Sequence, residues 1–187
     1  MKLDDLYPLV VPFVPELPLP TVDQHIKLAA QEFYRRSHAW RETLDPITLV
    51  ADQSDYDVDS PVSGARIEKV LSARVDDAEY AKAVAIYDGI LSFLDDTAPA
   101  TGELVVTVAM SPVITGTSWT LPAKLDEHAH DISLGALASL YTVIPGKGEQ
   151  AMVMAGRFND RIQAVGIKTQ RGKARQRLGS GSAAQFF

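Results

Sequence analysis

The densest set of groups able to do chemistry is Asp126-Glu127-His128-Ala129-His130-Asp131. On a helix, Glu127 and His130, or Glu127 and Asp131, lie three or four residues apart on one face and could reach one divalent ion. That is the arrangement of a metal-assisted hydrolase. No second His/carboxylate cluster supplies further ligands, and the spacing is not His-Glu-x-x-His. The competing reading is an acidic first turn that complements the helix dipole.

Other candidate nucleophiles and ligands are weaker still. Ser37-His38 and Ser133 lack the strained Gly-x-Ser-x-Gly elbow of a hydrolase. Pro145-Gly146-Lys147-Gly148 lacks the spacing of a phosphate loop and follows a helix, so it reads as a helix–helix turn. Asp52, Asp55, Asp57 and Asp59 alternate in a turn-rich region, but the closing Glu of a calcium loop is missing, so a solvated acidic loop fits better. Cysteine is absent, which excludes disulfides, thiolate catalysis and Cys-based zinc sites. The expectation is a protein without catalytic residues and without a cofactor.

The elements that would carry these groups fall in four blocks. Residues 1–20 carry Pro8, Pro12, Pro15, Pro18 and Pro20, and read as an extended arm. Such apolar content is unusual in a free tail. The arm is expected to lie along its own domain or a neighbour, with Tyr7, Leu9, Val11, Phe13 and Leu17 as its inter-subunit contacts. A first helix is expected from about Val22 to Leu44, capped by Thr21 with Gln24 and stopped by Asp45-Pro46. Its stripe is Val22, Ile26, Ala29/Ala30, Phe33, Ser37, Trp40 and Leu44, with Phe33 and Trp40 as core anchors.

Residues 47–114 switch to β character. Ile67–Val75 reads as a strand, Asp88-Gly89 is a hairpin turn between Val84–Tyr87 and Ile90–Leu94, and Leu104–Met110 is a β-branched strand. Residues 121–144 return to helix, with Leu125, Ala129, Ile132, Ala136, Leu140 and Val143 as a stripe. A tight Pro-Gly turn then leads to an antiparallel helix over about Glu149–Thr169. The fold expected is α+β. An antiparallel bundle of about three helices (residues 21–46 and 115–170) would carry an inserted small antiparallel sheet or sandwich (47–114) and a flexible C-terminal tail (171–187).

Charge divides the chain. The net charge is −6, yet the last forty residues carry +5 and the first 147 carry −11. A basic tail of this kind suits an acidic partner surface or nucleic acid, and lets identical subunits attract head to tail. In the tail, Arg171, Lys173, Arg175, Arg177 and Leu178 precede a Gly-Ser hinge and then Phe186-Phe187. Charge would steer this segment and the aromatics would anchor it. No run of eighteen apolar residues is present, so no membrane span or membrane partner is expected. Met1–Asp5 lacks the basic region and apolar run of a signal peptide.

The stretch Ile26–Val58 resembles the opening of tailed-phage head-to-tail adaptor proteins, also called head–tail connectors and related to tail tubular protein A. Ala29, Phe33, Trp40, Arg41 and Glu42 match that family's helix pattern, and Asp55-Tyr56 its following strand. Leu134–Tyr141, a Pro-Gly turn and a helix with Phe158 are similar to the family's second half. The resemblance covers most of residues 21–170. The proline-rich arm is the departure from it. The resemblance implies a structural virion protein at the neck, made in the host cytoplasm. It would form a ring, usually of twelve copies, that joins the portal to the tail or stopper protein and helps line or close the channel through which DNA passes. It also implies that residues 171–187 dock on the portal. Two alternatives stand beside this reading. One is a metal-assisted hydrolase using Glu127 and His130. The other is a DNA-binding accessory protein acting through the basic tail.

Overall fold

The first residues are not extended. The computed structural model describes residues 2–80, 84–93, 101–114 and 120–179, with side chains as far as Thr169. Leu3–Leu6 forms a 3-10 turn, helix α1 spans Tyr7–Val10, and Val11–Phe13 forms a second 3-10 turn. Pro8 and Pro12 fall at the second position of their turns, where a missing N–H breaks no helical hydrogen bond. Proline spacing that forbids one long helix therefore permits several short ones. The buried residues are Leu3, Leu6, Val10 and Val14, a three-to-four-residue period, not the alternating set expected of an extended arm. Tyr7, Leu9, Val11 and Leu17 rest half-buried on the chain's own core, and Phe13 is exposed. The Tyr7 hydroxyl donates to Asp23 Oδ1 at 2.7 Å, and this bond to a carboxylate raises the phenol to about 12.

Helix α2 spans Leu19–Ser37. It begins earlier than Thr21, because Pro20 sits within its first turn. It also ends earlier than Asp45-Pro46. His38 takes a left-handed conformation (φ 51°) and the chain turns into strand β1, Arg41–Thr43. Trp40 and Leu44 are buried as expected, but they reach the core from β1 and its flank.

The strands follow as β2 (Ile47–Leu49), β3 (Asp55–Asp57), β4 (Ala65–Val75), β5 (Ala78–Glu79), β6 (Val84–Tyr87), β7 (Ile90–Phe93) and β8 (Gly102–Pro112). All pairings among them are antiparallel. Strand β8 is the spine of the larger sheet. Its one edge pairs β1 and β2 and its other pairs β4, which in turn holds β5. The smaller sheet has the order β3-β7-β6, and its β6–β7 hairpin turns on Asp88 (φ 51°) and Gly89 (φ 80°). Positive φ at both positions matches the twist of the strands they join.

A 3-10 segment, Ala123–His128, leads into helix α3, Ala129–Val143. Gly146 (φ 80°) then turns the chain into helix α4, Gly148–Gly179. The backbone of residues 171–179 continues α4 as helix, which corrects the expectation of a flexible tail from residue 171. Phe186 and Phe187 lie outside the described residues. Helix α3 packs against α1, α2 and α4, and α2 also packs on β8. The chain is therefore α+β with antiparallel sheets. Among the described residues, no helix is long and apolar enough to cross a membrane.

One close approach fixes the α3–α4 spacing. A Cβ built on Gly135 would lie 2.7 to 3.0 Å from three atoms of the Phe158 ring. Gly135→Ala is expected to overpack this contact at about 1–3 kcal/mol, offset in part by roughly 1 kcal/mol of helix propensity. Phe158→Leu in the same chain should relieve part of the loss. Urea midpoints of both single variants and the double variant measure the coupling; strictly additive effects would mean that the two residues do not limit each other.

Candidate functional site

Trp40-Arg41-Glu42 forms a joint where four elements meet. The Trp40 indole is almost wholly buried and stands edge-on to Tyr34 of α2, with ring centroids 5.9 Å apart. Its Nε1 donates to Glu42 Oε1 at 2.8 Å, and the same oxygen lies 2.6 Å from Lys124 Nζ in the 3-10 segment before α3. Arg41 closes the other side. Its Nε donates to the His38 carbonyl at 3.3 Å and an Nη donates to the Thr169 carbonyl at 3.0 Å. One guanidinium thus bridges the end of α2, where it meets the His38 carbonyl that a helix C-terminus leaves open, to the Thr169 carbonyl within α4. Burial lowers the Arg41 pKa from its ordinary value. The Thr169 hydroxyl, 3.4 Å from the Ser37 carbonyl, adds a second tie across the same gap.

These residues wall a cleft of about 290 Å³ between the end of α2, the middle of β4 and α4. Arg36, His38, Arg41 and Lys69 contribute to its lining, and among the described residues no Asp or Glu does. Arg36 donates to Asn159 Oδ1 at 2.9 Å, and Lys69 is exposed. Arg36, Lys69 and Thr169 stood out in no motif. They are thirty or more residues apart in sequence, and only the fold brings them together.

The acidic His-containing cluster is divided between core and solvent. Because residues 123–128 are 3-10 and not α-helical, their side chains do not keep the helical register assumed for them. His130 and Glu127 are exposed, and Glu127 Oε1 lies 3.8 Å from His128 Nε2. His128 is buried against the Phe33 ring, 5.0 Å between centroids. Its Nδ1 lies 3.5 Å from Asp131 Oδ2, a buried oxygen with no hydrogen-bond partner among the described residues. Asp131 Oδ1 accepts from Arg161 Nε at 2.6 Å, tying the start of α3 to α4. Among the described residues, no group of three or more His, Cys, Asp or Glu is placed to hold a metal ion.

No family model and no curated protein matches this chain.

The other singled-out residues have structural partners. Ser37 is buried and its Oγ accepts from Ala39 N at 3.3 Å, while the Ser133 hydroxyl donates to the His130 carbonyl at 2.7 Å. Lys147 of the Pro-Gly turn donates to the Phe13 carbonyl at 3.1 Å and lies 4.9 Å from the Tyr141 ring centroid, so it clamps the N-terminal segment. Tyr56 is buried, accepts from Val50 N at 3.0 Å and stands edge-on to Phe93. Arg171, Lys173, Arg175, Arg177 and Leu178 occupy the last turns of α4. The β6–β7 hairpin adds a feature that its turn signal alone did not reveal. Tyr87 is 86% exposed and its cross-strand partner Ile90 is 44% exposed, so the tip presents apolar surface to solvent.

Proposed function

We propose that the chain is a structural virion protein, a head-to-tail adaptor that assembles as a ring joining the portal to the tail. In this reading α2, α3 and α4 act as one bundled strut, and the ring helps line or close the DNA channel. The observation that carries the reading is the joint at Trp40-Arg41-Glu42. These residues carry the family resemblance, and their polar atoms tie this corner to other elements of the same chain: Trp40 holds Glu42, Glu42 reaches Lys124, and Arg41 reaches the carbonyls of His38 and Thr169. Such a corner holds helices and sheet at a set angle, which is what a load-transmitting subunit of a symmetric ring requires. Charge segregation supports the same reading, since a basic C-terminal forty residues and an acidic remainder favour head-to-tail contacts.

Native mass spectrometry of the full chain, alone and mixed with the portal protein of its own genome, tests the proposal. The expected result is one discrete high-order complex with a fixed ratio of the two proteins. A chain that stays monomeric and ignores the portal contradicts it.

The DNA-binding alternative has one observation in its favour. The run containing Arg171, Lys173, Arg175 and Arg177 is helical in its backbone through Gly179, so its cations recur at four-residue steps along a rod of about 1.5 Å rise per residue. Duplex DNA affinity that falls steeply with salt, and that vanishes when residues 171–187 are removed, would favour this reading over the adaptor.

A further inference from the structure

We propose that the β6–β7 hairpin tip of one copy seats in the basic cleft of the next copy, and that this contact closes the ring. The inference rests on the adaptor reading and names the surfaces that reading leaves open. Two observations carry it.

The first is chemical. The small-sheet lobe, residues 50–64 and 84–93, contains Asp52, Asp55, Asp57, Asp59 and Asp88 and no Lys or Arg. At its tip Tyr87 and Ile90 face each other across the turn, Tyr87 almost wholly in water and Ile90 partly so. Asp57 is the cross-strand neighbour of Ile90, and Asp88 is in the turn itself, so carboxylates flank the apolar pair. An exposed aromatic beside an aliphatic residue, ringed by charge, has the make-up of an interface anchor with a polar rim.

The second is the complementary surface on the same molecule. The cleft is lined by Arg36, Arg41 and Lys69 with Val70, Gly166 and Thr169 between them. It offers a recess with Val70 and Leu71 in its lining and cations beside them, a make-up complementary to the hairpin tip. Arg41 is committed to helix carbonyls. Lys69, exposed at the margin, is placed to answer Asp57 and Asp88 directly, and Arg36, also exposed, would do so by giving up its surface bonds to Asn159 Oδ1 and Glu32. Tip and cleft are different surfaces, so the contact is heterologous, the type that closes rings when the rotation per copy is right.

Because the contact joins unlike surfaces, it can be broken from either side and restored in part by mixing. Tyr87→Asp spoils the tip, and a Lys69→Glu, Arg36→Glu double variant spoils the cleft. All three positions are exposed, so each variant should keep the wild-type urea midpoint, which is measured first; Tyr87→Ser and Lys69→Gln replace any variant that does not. Sedimentation velocity of the full chain then reads assembly. Each variant alone is expected to self-associate at least tenfold more weakly than wild type. A mixture of the two should form a one-to-one dimer and stop there, since only one intact tip and one intact cleft remain per pair. Variants that assemble like wild type, or a mixture that stays monomeric, overturn the proposed contact while leaving the adaptor reading in place if the wild-type chain still forms rings. A hairpin variant that keeps its rings but loses the portal would assign the tip to the portal instead and likewise overturn it. A wild-type chain that forms no assembly with or without the portal overturns both.

Discussion

Trp40→Ala is expected to cost about 3–5 kcal/mol of folding stability, the range for removing a buried aromatic side chain. The indole is 1% exposed and fills the space between α2 and β1. Its loss also leaves Glu42 with Lys124 as its remaining named partner at the joint. Trp40→Phe separates the two contributions. It retains most of the buried volume and gives up the bond to the carboxylate, so a loss of about 1–3 kcal/mol is expected. Urea denaturation of the two variants reads both values. A Trp40→Ala loss under about 1 kcal/mol would mean that the joint does not hold the corner. With the corner loosened, the end of α2 and the part of α4 around Thr169 would no longer be fixed relative to the sheet, and the cleft between them would lose its shape.

The second large effect is expected at Leu6. Its side chain is fully buried beneath the N-terminal turns, so Leu6→Ala should cost about 2–5 kcal/mol. Phe13→Ala, at a side chain 53% exposed, should stay within about 0.5 kcal/mol of wild type. The pair discriminates two periods. A helical segment packed on its own core buries Leu3, Leu6, Val10 and Val14, whereas an extended arm laid on a neighbour would depend on Tyr7, Leu9, Val11 and Phe13. Stability curves of the monomeric chain that are insensitive to Leu6→Ala would favour the extended arm. The consequence for assembly is direct: a segment committed to its own core has little left with which to grip another subunit.

The parts of the fold legible in the sequence are those with strong local signals. Strand β8 carries a β-branched run at Val105–Val108. The β6–β7 hairpin carries Asp-Gly at the two positions that need positive φ. The α3–α4 connection carries Pro-Gly, and Gly146 takes the positive φ there. Three features were not legible, each for a physical reason. The prolines of the first twenty residues exclude a long helix but do not exclude short turns, so their count misled. The end of α2 has no Gly or Pro beside it. His38 adopts the left-handed conformation, and the open carbonyls are met by Arg41 and Thr169 from elsewhere in the chain. The continuation of α4 past Thr169 runs through Gly172 and a dense basic stretch, which composition alone reads as coil.

The candidate site was legible in part. Trp40 reads correctly as a core anchor, although by a different route into the core. Glu127 and His130 stay exposed while His128 and Asp131 turn into the core, so the cluster is divided between solvent and interior. The basic cleft could not be read at all, because Arg36, Lys69 and Thr169 carry no local pattern that links them.

The central claim is that this chain is a ring-forming structural subunit that seats on a portal. Negative-stain imaging of the full chain mixed with the portal protein of its own genome tests that most directly. The account predicts class averages with a second ring of density stacked coaxially below the portal and sharing its rotational symmetry. Portal rings indistinguishable from those imaged without the chain would contradict it.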